Sequence, residues 1–162
     1  MCWKNKSFAA FWRSFGYAVR GVSECVKERN FRFHLVAAVY VPHLARYFIH
    51  TPTMWAVLFI TIGTVIAAEM VNTAVERLTD LVCPDRHPVA GAVKDITAGA
   101  VLIAAFAALC VAVYVFGNTD GWIALYHSWR NEWWRPLLCV GGAVPSIGFI
   151  FFYSRQQRRN KQ

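Results

Sequence analysis

Residues 52–80 read PTMWAVLFITIGTVIAAEMVNTAVERLTD, and this stretch carries the strongest structural signal in the sequence. Residues 52–68 contain no Asp, Glu, Lys or Arg, whereas residues 69–80 contain three carboxylates. A continuous helix over about 53–81 would measure about 40 Å, because each helical residue adds about 1.5 Å. The hydrocarbon core of a bilayer is only about 30 Å thick. We therefore predict a membrane-spanning helix whose acidic end projects beyond the apolar layer.

Three other stretches complete the predicted set of membrane spans. Residues 96–119 and 136–154 contain no Asp, Glu, Lys or Arg, and they predict spans at about 89–117 and 136–154. A span at about 33–49 is less apolar, because it includes two histidines and a proline. The composition agrees with membrane insertion, since 57% of the residues are hydrophobic and only 16% are charged. The chain is therefore predicted to be an all-α integral membrane protein.

The distribution of basic residues predicts the orientation of these spans. With four spans and both termini in the cytoplasm, only Arg46, Arg130 and Arg135 lie outside, and the other 14 of the 17 Lys and Arg residues lie inside. This bias follows the positive-inside rule, and omitting the span at 33–49 would spoil it. We expect a protein of the bacterial inner membrane. Its net charge of +8 suits anionic lipid head groups, and we expect no nucleic-acid partner.

The regions before and after the core spans differ in character. Apolar residues recur at steps of three and four between Phe8 and Val26, with basic residues off that stripe. This pattern predicts an amphipathic surface helix over about 7–29. Residues 1–117 then form a core of that helix and three spans. Residues 118–162 form an extension with a fourth span, an interfacial belt of Trp and Tyr and a basic tail. We expect the extension to be dispensable for the chemistry.

Four polar residues share one face of the helix predicted from the opening stretch. They are Glu69, Asn72, Glu76 and Asp80. Their spacings of three, four and four residues place them on one stripe of a helix with 3.6 residues per turn. Carboxylates near lipid are costly unless they are paired or bind a cation, so such a stripe indicates a functional site. The alternative is a set of ion pairs with Arg32, Arg77 or Lys94.

Two further polar clusters lie at the same predicted membrane face. Lys94 and Asp95 stand near the start of the third span, and Glu28 precedes the first span. Carboxylates for Mg²⁺, a lysine for phosphate and a carboxylate at the apolar boundary are what phosphoryl transfer to a lipid hydroxyl requires. The sequence has no Gly-x-x-x-x-Gly-Lys motif and no glycine-rich kinase loop. A bound nucleotide would therefore be held by metal and lysine instead of a loop of backbone amides.

Several motifs occur in a regular order along the chain. They are Glu-Arg-Asn-Phe-Arg-Phe-His-Leu at 28–35, Glu-x-x-Asn-Thr-Ala-x-Glu at 69–76, Asp80, His-Pro at 87–88 and Lys-Asp-x-x-Ala-Gly-Ala-Val at 94–101. This series resembles the prokaryotic diacylglycerol kinase and undecaprenol kinase family, and the motif at 28–35 is more similar to the undecaprenol kinase branch. The resemblance covers about residues 11–116. Residues 118–162 are an addition to the family pattern.

The resemblance implies a homotrimer with composite sites between neighbouring chains, and it implies Mg²⁺ as cofactor and ATP as co-substrate. By motif, Glu69 corresponds to the general base and Asn72 to its hydrogen-bonding neighbour. Glu28 and Glu76 correspond to the Mg²⁺ ligands, and Lys94 to the cation that neutralises phosphate oxygens. The residues expected to contact the nucleotide are Tyr17, Glu28, Glu76, Asp80, Asp85, Arg86, His87, Lys94 and Asp95. Those expected to contact the lipid are Phe31, Arg32, Glu69 and Ala98.

The resulting hypothesis is a lipid kinase that phosphorylates the hydroxyl of a membrane lipid, with undecaprenol as the expected acceptor. Diacylglycerol is the alternative acceptor, and a lipid phosphatase would use the same carboxylates. An ion-binding or transport protein without enzymatic activity is the alternative from a different class, in which the acidic stripe would line a pathway. The third and fourth spans carry no deeply placed polar residue, which argues against a continuous pathway.

Overall fold

Six α-helices make up the part of the chain that the structure describes. The computed structural model describes residues 4–159. In chain order the helices are α1 (Lys4–Cys25), α2 (Arg29–Ala45), α3 (Pro52–Val82), α4 (Pro88–Phe116), α5 (Thr119–Asn131) and α6 (Trp134–Arg159). No strand occurs within the described range. The prediction of an all-α fold is confirmed.

Within the described residues, three helices are long and apolar enough to cross a membrane. They are α3, α4 and the Trp134–Phe151 part of α6, and they agree with the spans predicted at 53–81, 89–117 and 136–154. The span predicted at 33–49 corresponds to α2, whose 17 residues would measure about 26 Å. That length is slightly below the thickness of the hydrocarbon core. The chain is a multi-pass membrane protein.

The boundary between the first two helices lies about four residues earlier than the sequence pattern predicts. α1 ends at Cys25 instead of near residue 29, and α2 begins at Arg29 instead of near residue 33. Residues 26–28 form the α1–α2 turn, in which the Glu28 N–H donates to the Cys25 carbonyl at 2.9 Å. No Gly or Pro occurs in residues 22–30. The usual local signal of a turn is therefore missing at this break.

Polar N-cap side chains fix the starts of the three helices that follow. Their oxygen or nitrogen atoms accept a hydrogen bond from a backbone N–H of the first turn, which would otherwise lack a partner. The caps are Thr51 for α3, His87 for α4 and Asn118 for α5, bonded to the N–H groups of Met54, Val89 and Asp120 at 3.4, 3.2 and 2.9 Å. In α3 and α4 the next residue is a proline, which fits the first helical position because no N–H is needed there.

A buried apolar core lies at one end of the helix bundle. It consists of Ala45, Phe48, Ile49, Leu58 and Val115. The ring of Phe48 packs edge-on against the rings of Phe116 and Trp122, with centroid distances of 5.0 and 5.1 Å. We call this the aromatic end (Phe48, Phe116 and Trp122). It joins the end of α2 to the start of α3, the end of α4 and the start of α5.

α6 packs along α2 in the antiparallel direction. The hydroxyl groups of Tyr40 and Ser146 are 3.3 Å apart, and Arg32 reaches the backbone carbonyl of Ile150. Residue numbers therefore rise along α2 while they fall along α6. α4 packs chiefly on α3, and many of its apolar side chains are exposed. Such exposure is expected of a helix that meets lipid or another chain.

Two helices expose aromatic side chains of the kind that lie at a membrane boundary. On α1 these are Phe8, Phe11, Trp12 and Phe15, in agreement with the predicted amphipathic helix. On α5 they are Trp122, Tyr126 and Trp129. The sequence predicted this second group as an interfacial belt but not as a helix, because the stretch is too short and too polar to read as a span.

We predict that Gly121→Leu destabilises the protein, because α5 approaches the buried ring of Phe48 at this position. A Cβ at residue 121 would lie 2.1 Å from Phe48 Cδ1, and relieving such overpacking typically costs about 1–3 kcal/mol. Thermal unfolding in detergent should show a lower midpoint. Gly63→Leu is the matched control, since a Cβ there meets nothing within 4 Å. Equal midpoints for both variants would show that the aromatic end does not hold α5.

Candidate active site

The acidic stripe of α3 runs from the interior of the bundle to its surface. Glu69 is 3% exposed and Asn72 is 9% exposed, whereas Glu76 is half-buried and Asp80 is exposed. The stripe lies at the end of the bundle opposite to the aromatic end. We call this end of the bundle the polar end (Glu69, Glu76 and Asp80). One helix therefore carries both a buried carboxylate and solvated ones within three turns.

The start of α2 covers the buried carboxylate. The side-chain amide of Asn30 is a polar neighbour of Glu69, and the carboxylates of Glu28 and Glu76 are its charged neighbours. Carboxylates from two separate motifs thus lie near enough to Glu69 to interact with it electrostatically. Such a group of like charges is stable only when a proton or a cation joins it. The arrangement is therefore suited to proton transfer and to cation binding.

Asn72 connects the stripe internally and leaves one atom unpaired. Its amide nitrogen donates to Glu76 Oε1 at 2.9 Å. Its Oδ1 atom is buried and has no hydrogen-bond partner among the residues that the structure describes. An unpaired buried acceptor costs roughly 1–3 kcal/mol. We therefore expect a donor or a cation to complete this position when the site is occupied.

Arg77 ties the segment before α2 to α3. Its Nη1 lies 3.0 Å from Glu24 Oε2, and its Nη2 lies 3.4 Å from Glu28 Oε1. Lys27 also contacts Glu24, at 2.5 Å. Lys27 and Arg77 together hold the pKa of the Glu24 carboxyl below its usual value. These contacts place Glu28 beside the carboxylates of α3, although Glu28 precedes α2.

A cavity of about 480 Å³ lies where α3 leads into α4, a volume within the roughly 300–1,000 Å³ typical of ligand sites. Its lining residues are Thr79, Asp80, Cys83, Pro84, Asp85, Arg86, His87, Pro88, Ala90, Gly91 and Lys94. The Asp80 carboxylate and the Lys94 ammonium form an ion pair. Five of the residues predicted to contact a nucleotide are therefore brought together in one cavity, with cationic and anionic groups on its wall.

The other predicted site residues are not among the lining residues of the cavity. Asp95 and Ala98 are exposed on α4, and Tyr17 is exposed on α1. Phe31 and Arg32, which the resemblance assigns to the lipid, are both 0% exposed. The guanidinium of Arg32 donates to backbone carbonyls of the protein itself. Their contact with lipid stays a prediction.

The donor atoms of the polar end suit a small, hard cation. The described residues contain no group of three or more His, Cys, Asp or Glu side chains arranged to hold a metal. Mg²⁺ does not need such a group, because it is usually bound by one or two carboxylates together with substrate phosphates. Glu28 and Glu76 supply carboxylates near Glu69, and Asn72 Oδ1 is a further hard oxygen. These residues therefore fit Mg²⁺ held jointly with a nucleotide.

The alternative interpretation, in which the acidic residues of α3 serve only in ion pairs, applies to the exposed end of the stripe and not to its buried part. Lys94 pairs with Asp80, as that alternative expects. Arg77 pairs instead with Glu24 and Glu28. Glu69 and Glu76 appear in none of the ion pairs that the structure describes.

Two residues of the site had no role assigned from sequence, Asn30 and Glu24. Asn30 lies inside the motif at 28–35, but nothing near it in sequence indicates its contact with Glu69. Glu24 contacts Arg77 across 53 positions. Contacts at such separations become visible only when the helices are packed.

Comparisons with known proteins agree with this arrangement. The family model of prokaryotic diacylglycerol kinase matches residues 16–116. Undecaprenol kinase of Bacillus subtilis is 36% identical over 108 residues, which cover 65% of this chain and 87% of that protein. Diacylglycerol kinase of Synechocystis sp. is 42% identical over 100 residues, covering 60% of this chain and 57% of that protein. Diacylglycerol kinase of Helicobacter pylori is 26% identical over 102 residues, covering 62% and 79%. No solved structure matches.

The matched region has a clear relation to the helices. Residues 16–116 run from within α1 to the last residue of α4, and they contain Glu28, the acidic stripe and the whole lining of the cavity. α5 and α6 lie beyond the matched region. The match covers well over half of the chain, and the Bacillus relative is matched over most of its length. The chain belongs to the prokaryotic diacylglycerol kinase family.

Proposed function

We propose that this protein is a lipid kinase that transfers the γ-phosphoryl group of ATP to the hydroxyl of undecaprenol. Family membership supports the kinase chemistry, and the Bacillus relative, matched over 87% of its length, is named undecaprenol kinase. The observation that carries the proposal is the electrostatic interaction of Glu69 with Glu28 and Glu76, on a face of α3 that reaches the cavity lined by Asp80 and Lys94 about one helical turn beyond Glu76.

Glu69 is the group that we assign to proton removal. It is buried where α3 leaves its apolar stretch, so a lipid hydroxyl that enters sideways from the bilayer would reach it without crossing water. As the hydroxyl oxygen attacks the γ-phosphorus, its proton passes to Glu69, and the bond to the leaving oxygen of ADP breaks. Asn30 is placed to orient the carboxylate, because its side-chain amide neighbours Glu69.

The nucleotide phosphates are assigned to the cavity. Lys94 and Arg86 supply positive charge on its wall, and the ion pair with Asp80 keeps the Lys94 ammonium at the cavity. Glu28 and Glu76 are the residues that would hold Mg²⁺. The chemistry that Mg²⁺ supplies when bound is neutralisation of the charge that develops on the phosphate oxygens.

We further propose a homotrimer in the bacterial inner membrane, with the polar end and both termini in the cytoplasm. The exposed apolar side chains on α4 support contact with other chains. Tyr17 and Asp95 are exposed and do not line the cavity, which suits residues that complete a composite site in a neighbouring chain. A cytoplasmic polar end would give the cavity direct access to ATP.

Diacylglycerol is the second candidate acceptor. The Synechocystis relative, whose identity is higher but whose matched share is smaller, is named diacylglycerol kinase. Both lipids present a primary hydroxyl at the membrane boundary, so discrimination between them depends on the shape of the pocket around that hydroxyl.

Glu69→Gln should abolish turnover and leave nucleotide binding intact, because the amide keeps the size of the side chain and cannot accept the proton. Loss of a general base typically lowers kcat by about 10²–10⁴. Kinase assays with ADP detection, together with nucleotide titration, measure both quantities. Glu132→Gln is the control, since this carboxylate follows α5 and pairs with Arg135. Turnover of Glu69→Gln within about threefold of wild type would remove Glu69 from this role.

Glu28→Gln and Glu76→Gln should each raise the half-saturating Mg²⁺ concentration by about tenfold, because each removes an anionic oxygen from the cation. Activity measured over a Mg²⁺ titration at constant ATP gives this value. Glu132→Gln is again the control, because this carboxylate follows α5 and pairs with Arg135. An unchanged Mg²⁺ requirement in both test variants would count against these ligands.

With undecaprenol and diacylglycerol at equal mole fraction in one micelle, phosphorylated undecaprenol should be the main product. Pocket shape is worth roughly 1–3 kcal/mol, which corresponds to a product ratio of about ten or more. Thin-layer separation of the two labelled lipids gives the ratio of their kcat/KM values. A ratio that favours diacylglycerol would overturn the choice of acceptor and leave the kinase assignment standing.

A further inference from the structure

Arg32 is a fully buried cation whose identified partners are all backbone carbonyls. It is 0% exposed. Its Nη1 donates to the carbonyls of Val26 and Lys27 at 2.9 and 2.8 Å, and its Nη2 donates to the carbonyl of Ile150 at 2.9 Å. The first two carbonyls belong to the α1–α2 turn, and the third belongs to α6. One guanidinium therefore joins two segments that are more than one hundred residues apart.

The chemistry of the guanidinium explains why an arginine suits this position. The last carbonyls of a helix lack partners within it, and α1 ends just before the turn. A cation beside them also interacts favourably with the helix dipole. Arg alone presents five N–H donors in a rigid fork, so it can satisfy the turn and still reach a third carbonyl.

Glu28, the N-cap of α2, directly follows Val26 and Lys27, whose carbonyls Arg32 binds. Its backbone carbonyl also accepts from the Arg32 N–H at 3.2 Å. Arg32 therefore holds the backbone on both sides of Glu28, while α6 holds Arg32. Further along, the Tyr40 and Ser146 hydroxyls keep α6 against α2.

We propose that α6 positions Glu28 for metal and nucleotide binding, and that Arg32 is the positioning residue through which it acts. The expected effect on catalysis rests on the proposed function, whereas the link between α6 and the α1–α2 turn does not. It replaces the expectation that residues 118–162 are dispensable for the chemistry, because α6 lies in that extension and contacts the segment that places Glu28.

The test loosens α6 from α2 by a change in α6 itself. In Gly142→Leu, the added Cβ would lie 2.6 Å from the Tyr40 hydroxyl, so this hydroxyl has to leave its place beside Ser146 and the contact that keeps α6 against α2 is lost. Val144→Leu is the matched control, since it adds bulk at a side chain of α6 that is 68% exposed. Arg32→Gln removes the bridge itself and leaves α6 unaltered. All variants are made in the full chain.

The first readout does not depend on catalysis. Cys25 and Cys83 carry free thiols; Cys25 is buried at the turn, whereas Cys83 is partly exposed beside the cavity. Burial also raises the pKa of the Cys25 thiol, which makes the reactive thiolate scarce. The rate of maleimide labelling at Cys25 relative to Cys83, measured by peptide mass spectrometry, reports whether the turn is held.

Arg32→Gln and Gly142→Leu should each raise the Cys25 to Cys83 labelling ratio by about tenfold, because charge-assisted hydrogen bonds that close the turn are lost. The double variant should label no faster than Arg32→Gln alone, because both changes break the same link. Val144→Leu should match wild type. If Gly142→Leu aggregates, Arg32→Lys replaces it, and an intermediate ratio is expected because one ammonium group cannot span three carbonyls.

The second readout is the Mg²⁺ requirement. Gly142→Leu should raise the half-saturating Mg²⁺ concentration by about tenfold and leave the KM for lipid unchanged. Removing a group that orients a metal ligand typically costs about 10- to 100-fold, and tenfold is the lower end of that range. Labelling and Mg²⁺ requirement both at wild-type values in Gly142→Leu would overturn the proposal. Faster labelling without lipid phosphorylation by wild-type protein would instead refute the proposed function and leave the link between α6 and the turn intact.

Discussion

The carboxylate of Glu69 has to be kept inside a bundle of apolar membrane helices, and the arrangement of the polar end follows from that constraint. A buried carboxylate is costly unless hydrogen bonds and a cation compensate for lost water. Asn30 is a polar neighbour of Glu69, but the charged neighbours of Glu69 are Glu28 and Glu76, which are also acidic. Arg77 offsets part of this negative charge through its contact with Glu28. Under the proposed function, the Mg²⁺ ion would offset more of it.

The two ends of the bundle are held together by different kinds of contact. At the aromatic end, apolar and aromatic side chains pack around Phe48 and lock α2, α3, α4 and α5 together. At the polar end, hydrogen bonds and ion pairs join α1 to α3, α3 to α4 and α2 to α6. Arg77 and Arg32 are the two cations that fix the segment before α2, one through carboxylates and the other through backbone carbonyls.

Much of the fold and part of the site could be predicted from the sequence, for reasons that are local. The length and polarity of residues 52–80 determine a span with an acidic end, and helical periodicity aligns Glu69 with Asp80. The cavity residues follow one another around a single turn. The contacts of Asn30 and the bridge from Arg32 to Ile150 could not be predicted, because each depends on how distant helices pack. The break after Cys25 was misplaced because no Gly or Pro marks it.

The most direct test of the central claim is transfer of label from γ-labelled ATP to lipid by the purified full-length protein in detergent with Mg²⁺. The lipid phase should contain both undecaprenol and diacylglycerol, so that the choice of acceptor does not decide the outcome. We expect label to enter the organic phase as a lipid phosphate monoester, with one ADP formed for each labelled lipid. Label released only as inorganic phosphate, or no consumption of ATP, would contradict it.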